Sequence, residues 1–267
     1  MQITQSTPSP KTSTEKNKSK KTKWLSPTAV NAYQRCPRNY YYRYIKRLKQ
    51  KPSIHLIRGI AVHNAIEKFY KHKLHRCADM DYGDLRGVVL DLFKDEWRNR
   101  KESLEQLGLK QDEIEFFYSD SQKMILNFLH WSLKNREFEK PAPLIEKTLF
   151  SKEHGLFGRI DAIYQEANSP LVVDYKTSRS AKLTDDYKRQ LAIYALLHKT
   201  HFHKNPIVAI HFLRFKNGLR KYKISDKALE ETAGLIKKLH DKTQSKDIDD
   251  YPCTCGWCEK NFKFENK

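Results

Sequence analysis

The sequence predicts an α/β domain in which helices flank a mixed β-sheet, with an additional helical part at the N-terminal end. Three observations carry that prediction. Two short apolar runs, Phe157 to Tyr164 and Leu171 to Thr177, are joined by the polar stretch Gln165 to Ser169 closed by Pro170, which reads as a hairpin. A second apolar run, Ile207 to Phe215, meets an Asn217-Gly218 turn signal and then a basic strand, Leu219 to Ile224. Around these runs, apolar residues recur at spacings of three and four, the period of amphipathic helices. Hairpins separated by a helix fit a mixed sheet with helices packed on it.

Residues 1–23 are rich in Ser, Thr, Pro and Lys and nearly free of large apolar groups. Such a stretch buries too little surface to offset its ordering entropy, so a disordered basic tail is expected, its lysines either solvated or touching phosphates. Ser26 followed by Pro27 starts a helix, with Val30 and Tyr33 facing inward. A second helix opens at Pro37 and carries Tyr40, Tyr41, Tyr42, Arg43 and Tyr44. These read as core tyrosines with wet tips or as base-stacking rings between phosphate-binding arginines. The next helix, Leu56 to about Leu74, has Leu56, Ile60, His63, Ile66, Tyr70 and Leu74 as its inward stripe. His63 on that face is a hydrogen-bonded core residue or a ligand.

From about residue 84 to 135 two helices are expected, one through Leu85, Val89, Leu92 and Trp97, the other through Ile114, Phe117, Tyr118, Ile125 and Phe128, parted near Gly108. Nothing in them suggests chemistry, and they read as a helical insertion. Leu144 to Phe150 is a strand that Glu146 interrupts. A carboxylate there is costly without a partner: a further metal ligand, an acid behind the ligands, or a strand-edge ion pair. After the first hairpin, Thr184 caps a helix whose first turn holds Asp185 and Asp186. Tyr187, Gln190, Leu191, Tyr194 and Leu197 share its face, and Gln190 and Tyr194, one turn apart, can reach one site. A last helix spans Asp226 to about Lys242 through Leu229, Ile236 and Leu239.

The chemistry gathers on the first hairpin. If its loop closes with Tyr164 opposite Leu171, Ala162 faces Val173 and Asp161 faces Asp174. Directly opposed residues share a face with Cβ atoms roughly 4.5–5.5 Å apart. Lys176, two residues beyond Asp174, lies on that face too. Two carboxylates so placed repel unless a proton or cation sits between them, so a divalent metal site beside a lysine is expected. A formal net charge of +19 favours a polyanionic partner, of which nucleic acid is the commonest. No run approaches the roughly 18 apolar residues of a membrane span, and no apolar leader opens the sequence. No membrane contact and a cytoplasmic location are expected.

These residues carry a resemblance. Gly158-x-Ile160-Asp161, an apolar strand ending Asp174-Tyr175-Lys176-Thr177, and Gln190-x-x-x-Tyr194 resemble the PD-(D/E)XK nuclease superfamily, in particular its RecB-like branch with the iron–sulfur exonucleases of CRISPR adaptation. The resemblance runs from about Trp24 to Cys258. It implies a restriction-endonuclease-like core over 24–250 and a metal-dependent nuclease acting on DNA, an exonuclease of repair, recombination or CRISPR adaptation, with a helicase or a repair or adaptation complex as further partners. Asp161, Asp174 and the carbonyl of Tyr175 would hold Mg²⁺ or Mn²⁺, with His63 assisting, since Gly59-x-x-Val62-His63 with Glu67 matches a family helix. Lys176 would serve the attacking water, and Gln190 and Tyr194 would complete the catalytic set. The alternative is a non-catalytic nucleic-acid-binding subunit that keeps the fold.

The C-terminal segment, 251–267, contains Cys253, Cys255 and Cys258. The resembled nucleases bind a [4Fe–4S] cluster through one N-terminal and three C-terminal cysteines. Cys36 matches the first, and Cys255 and Cys258 match the Cys-Gly-Trp-Cys portion. The later cysteine has no counterpart among residues 261–264, so Cys253 would take its place, or the end would be free of any cluster. The unassisted spacing leaves zinc, a cluster or no metal open.

Overall fold

Alternating burial along one run and nearly unbroken burial along the next build the centre of a five-stranded sheet. A computed structural model describes residues 24–77, 80–135, 140–166, 169–256 and 258–262; the expected tail, 1–23, lies outside these. Among the described residues the strands are β1 (Leu144–Ser151), β2 (Leu156–Tyr164), β3 (Leu171–Lys176), β4 (Ile207–Phe212) and β5 (Leu219–Lys223), in that order across the sheet. Only the β3–β4 pair is parallel. A parallel pair needs a crossover, and the helix Asp185–Phe202 supplies it. The hairpin register is the expected one as far as the ladder runs, with Tyr164 paired to Leu171 and Ala162 to Val173; Asp161 and Asp174, expected as the next rung, are not paired in it. β4 ends at Phe212 rather than Phe215, because the chain turns back there, with the Phe215 amide donating to the Phe212 carbonyl.

The helices are α1 (Pro27–Arg35), α2 (Pro37–Tyr40) with a π-helical turn over Tyr41–Ile45, α3 (Ile54–Lys71), α4 (Tyr82–Arg98), α5 (Lys101–Glu105), α6 (Gln111–Lys134), α7 (Asp185–Phe202) and α8 (Asp226–Lys242). Ser26 caps α1 by accepting from the Ala29 amide, and Thr184 caps α7 by accepting from the Tyr187 amide. Two core layers enclose the sheet. In one, the α1–α2 region, α7 and α8 pack on Ile163, Val172, Val208, Ile210 and Phe212. In the other, α3, α4 and α6 pack on Ala162, Tyr164, Val173, Tyr175 and Ala209. Tyr40, Tyr41 and Tyr42 are buried in the first layer, as core residues.

Two expectations for the helices are corrected. The stretch after residue 84 holds α5 as well, a short helix anchored by buried Leu104. In α3, Leu56 and Ile60 are exposed, and the buried face runs through Ile57, Arg58, Ala61, Val62, Ala65 and Ile66. The helix is turned because Arg58 finds a buried partner in Asp120 at 3.2 Å, while the small Ala61 and Ala65 let α3 approach its neighbours.

Candidate active site

Strict alternation would place Ile160 and Ile163 on opposite faces of β2, yet both lie in the α7-side layer. β1 does the same: Leu149 lies in that layer and Ile145 packs on the other. The switch occurs at one rung. Glu146 and Asp161 are missing from an otherwise continuous ladder, and Glu146 has φ 51°. A non-glycine residue there costs about 1–3 kcal/mol, held by the surrounding sheet. At the switch the two acids approach His63 of α3, and one donor atom from each of the three lies within 4.8 Å of the others.

Asp161 is fixed on both oxygens. Its Oδ2 accepts the Tyr175 amide at 2.7 Å, and its Oδ1 lies 3.5 Å from His63 Nδ1. Burial pushes its pKa up, but His63, Lys176 and the Tyr175 amide outweigh that and hold it below the usual carboxylate range. His63 is displaced the other way: burial disfavours its charge, and the Asp161 carboxylate more than restores it. Glu146 is raised, by burial and then by Asp161, although it also pairs with Arg159. Glu146 thus pairs with Arg159 and stands beside His63 and Asp161. Asp174 is turned toward Lys176, whose Nζ lies 2.5 Å from Oδ2. Burial and the nearby Asp161 raise the Asp174 carboxyl to about 6 despite that ammonium.

α7 orients the lysine. Lys176 Nζ donates to Gln190 Oε1 at 2.9 Å, Gln190 Nε2 to the Tyr194 hydroxyl at 2.9 Å, and that hydroxyl to the Arg159 carbonyl at 2.9 Å. An ammonium only donates and a carbonyl only accepts, so this chain runs in one direction. Tyr194 stays protonated, raised by burial and by Asp174 and Asp161. Gly158 permits the close packing: a Cβ there would stand 2.7 Å from Leu197 Cδ1 and 3.2 Å from Tyr194 Cε1.

Sequence reasoning missed the residues behind the hairpin. Arg58 donates to Asp120 and, at 2.6 Å, to the carbonyl of Thr177, where the chain leaves β3; Arg214 reaches Asp120 at 3.1 Å. An arginine within the apolar period of α3 was the available signal. It left the partner in the Glu146 ion pair unnamed: Arg159, on the neighbouring strand β2.

A second constellation lies apart from this one. Cys36, between α1 and α2, meets Cys253, Cys255 and Cys258, and one sulfur from each lies within 4.8 Å of the others. Burial raises the Cys36 thiol, but the amides of Thr254 and Asn39 and the neighbouring Cys255 draw it down to about 6. Cys258 is pushed well above the thiol range by burial and by Cys253. Among the described residues no helix is long and apolar enough to cross a membrane.

The family described as the PD-(D/E)XK nuclease superfamily matches residues 24–261. No curated protein matches the chain. Among solved structures, the chain is similar to a protein from Eubacterium rectale named provisionally as an exonuclease, with a TM-score of 0.54 and 11% identity over 97% of this chain and 96% of that one. At that identity the likeness is one of fold. The crystal structure of SSO0001 is 24% identical over 53% of this chain and 68% of that one, with a TM-score of 0.26.

Proposed function

This chain belongs to the PD-(D/E)XK nuclease superfamily, and on that premise we propose that it is a metal-dependent nuclease hydrolysing phosphodiester bonds in DNA, as an exonuclease of repair, recombination or CRISPR adaptation. The observation that carries the reading is the meeting of His63, Glu146 and Asp161 beside the Asp174–Lys176 pair. This donor set suits a hard divalent cation: carboxylate oxygens favour Mg²⁺, and an imidazole tilts the preference toward Mn²⁺. Asp161, Asp174, Glu146, His63 and the Tyr175 carbonyl are the groups that would hold it. When bound, such an ion activates water and takes up charge developing on the phosphate.

The protein's own groups do the rest. Lys176, held by Asp174 and Gln190, presents an ammonium that orients water or meets phosphate charge. Gln190 and Tyr194 keep that ammonium in place and tie α7 to β2. Water attacks phosphorus, the P–O bond to the leaving nucleotide breaks, and the departing oxygen takes up a proton. Beyond Asp161, the rungs Thr148–Arg159 and Phe150–Phe157 run along one face of β1 and β2, and Trp24 packs edge-on against exposed Phe150. Exposed rings beside an arginine suit a nucleic-acid strand, the rings stacking bases and Arg159 meeting phosphate. The nuclease domain is taken as 24–250, with 84–135 as a helical insertion and 251–267 as a cysteine-containing segment.

The test is cleavage of end-labelled single-stranded DNA, duplex DNA and RNA with Mg²⁺, Mn²⁺ or EDTA. Metal-dependent shortening of DNA ends is expected, and none with EDTA. Salt-sensitive DNA binding without cleavage under either ion would instead favour the non-catalytic subunit.

A further inference from the structure

We propose that Cys36, Cys253, Cys255 and Cys258 hold one tetrahedral Zn²⁺, a structural clasp between the N-terminal helices and the C-terminal segment, rather than the four-iron cluster that the resemblance implies. Spacing carries the proposal. Cys253 Sγ lies 4.0 Å from Cys36 Sγ, 4.0 Å from Cys255 Sγ and 3.3 Å from Cys258 Sγ. Four thiolates around one zinc, with bonds of about 2.3 Å, stand about 3.8 Å apart. In a four-iron cluster each thiolate binds its own iron, so the sulfurs stand a bond length outside an iron tetrahedron, on the order of 6 Å apart. A disulfide is equally excluded by distance, since its sulfurs lie about 2.05 Å apart.

Moving the exposed Cys253 alone would not reach cluster spacing, because the sulfurs of Cys36, Cys255 and Cys258 also lie within 4.8 Å of one another, and two of these are firmly held. Cys36 and Cys258 are buried. Around them, Arg38 Nε donates to the Tyr251 carbonyl at 2.7 Å, the Tyr42 hydroxyl donates to Glu259 at 2.8 Å, and Tyr40 stacks on Tyr251. The irregular Cys-x-Cys-x-x-Cys spacing then has a use. Gly256, at φ 67°, turns the chain so that Cys253 and Cys258 both reach the centre, and no later cysteine is needed. Zinc with four thiolates carries two net negative charges. Backbone amides directed at Cys36 and Cys253 and the nearby Arg38 guanidinium offset them. Thiolates are soft donors, which zinc accepts without redox chemistry.

The experiment uses the full chain, prepared anaerobically from cells supplied with iron and zinc, and analysed for metal and acid-labile sulfide. One zinc per chain is expected, with neither iron nor sulfide. Replacing it with Co²⁺ should give thiolate charge-transfer bands and the intense visible bands of a tetrahedral ion. A strong chelator should lower the melting temperature of the wild-type chain, and Cys258→Ser should lose the zinc. Wild-type analysis suffices if that variant does not fold. Iron with equimolar sulfide would overturn the proposal. So would metal-free protein whose melting ignores chelator, or a Cys253–Cys258 disulfide found by mass analysis. Cleavage is read separately: a zinc-loaded chain that never cuts would refute the nuclease reading and leave this one standing.

Discussion

The hairpin and the cysteine clasp are both gatherings of metal-capable groups, built in opposite ways. The hairpin region gathers its acids from adjoining strands where the regular ladder breaks, and burial drives Asp174 up to about 6. The clasp joins residues 217 positions apart, and backbone amides favour charge on part of it, bringing Cys36 down to about 6 while burial and Cys253 hold Cys258 up. One site holds charges in tension beside a half-buried lysine. The other is arranged to accept a cation and hold ends together. The difference teaches that closeness of ligands does not define a role; what the backbone supplies to their charges does.

The sharpest way to break this comparison is a pair of substitutions. Asp174→Asn keeps the shape of the side chain and removes a charge opposite Lys176. Cleavage should fall by at least about 10²–10³-fold, while melting shifts little. Cys258→Ser should do the reverse, lowering the melting temperature by several degrees and leaving the rate per folded molecule near wild type. Cleavage by Asp174→Asn at wild-type rate, or its loss in Cys258→Ser well below melting, would erase the distinction.

Next in size is the support behind the hairpin. Asp120→Ala leaves the buried Arg58 and the partly exposed Arg214 without their shared carboxylate, and urea unfolding should show a loss of about 3–5 kcal/mol. A change under 1 kcal/mol would mean the Thr177 end of β3 needs no such brace. Gly158→Ala should cost less, about 1–3 kcal/mol from overpacking. It should also slow cleavage, because α7 must move away from β2 and stretch the Tyr194 bond to the Arg159 carbonyl. A full rate at full stability would show that α7 has slack.

The smallest effect concerns His211, fully buried against Trp131 and Tyr175, with neither ring nitrogen bonded among the described residues. Burial brings its pKa down to about 3. The unfolded imidazole titrates near pH 6.5, so below that value the unfolded chain binds a proton that the native chain refuses. This contribution to stability is intact above about pH 6.5 and is lost as the pH falls toward 3, at up to about 1.4 kcal/mol per unit. His211→Phe should flatten the stability profile by that slope between pH 6 and pH 5, read by urea unfolding at each pH. An unchanged slope would assign acid sensitivity elsewhere.

Much of this was legible from local pattern. The Gln165–Pro170 connection and the flanking apolar runs gave the pairing of Tyr164 with Leu171, and Asn217-Gly218 gave the second hairpin. The face of α3 was misread because Arg58 is buried only by virtue of Asp120, 62 residues later, and no local period contains that partner. The face switch at Glu146 and Asp161 was likewise hidden, since alternation assumes a regular strand and the left-handed Glu146 breaks that assumption. The sequence put Cys36, Cys253, Cys255 and Cys258 in view among its five cysteines, but only the folded chain brings Cys36 beside the other three.

The clasp has a mechanical consequence. With an ion seated, tension applied between Cys36 and Cys253 passes from sulfur to sulfur and does not reach the strands. The 217-residue span between them is out of the load path. The sheet would feel no force until a metal–thiolate bond ruptured, and rupture would then expose a span of roughly 700 Å of extended chain to the load. A pulling trace would record that as one abrupt event whose threshold follows the metal rather than the hydrophobic layers, and chelation before pulling would shift the load to the fold itself.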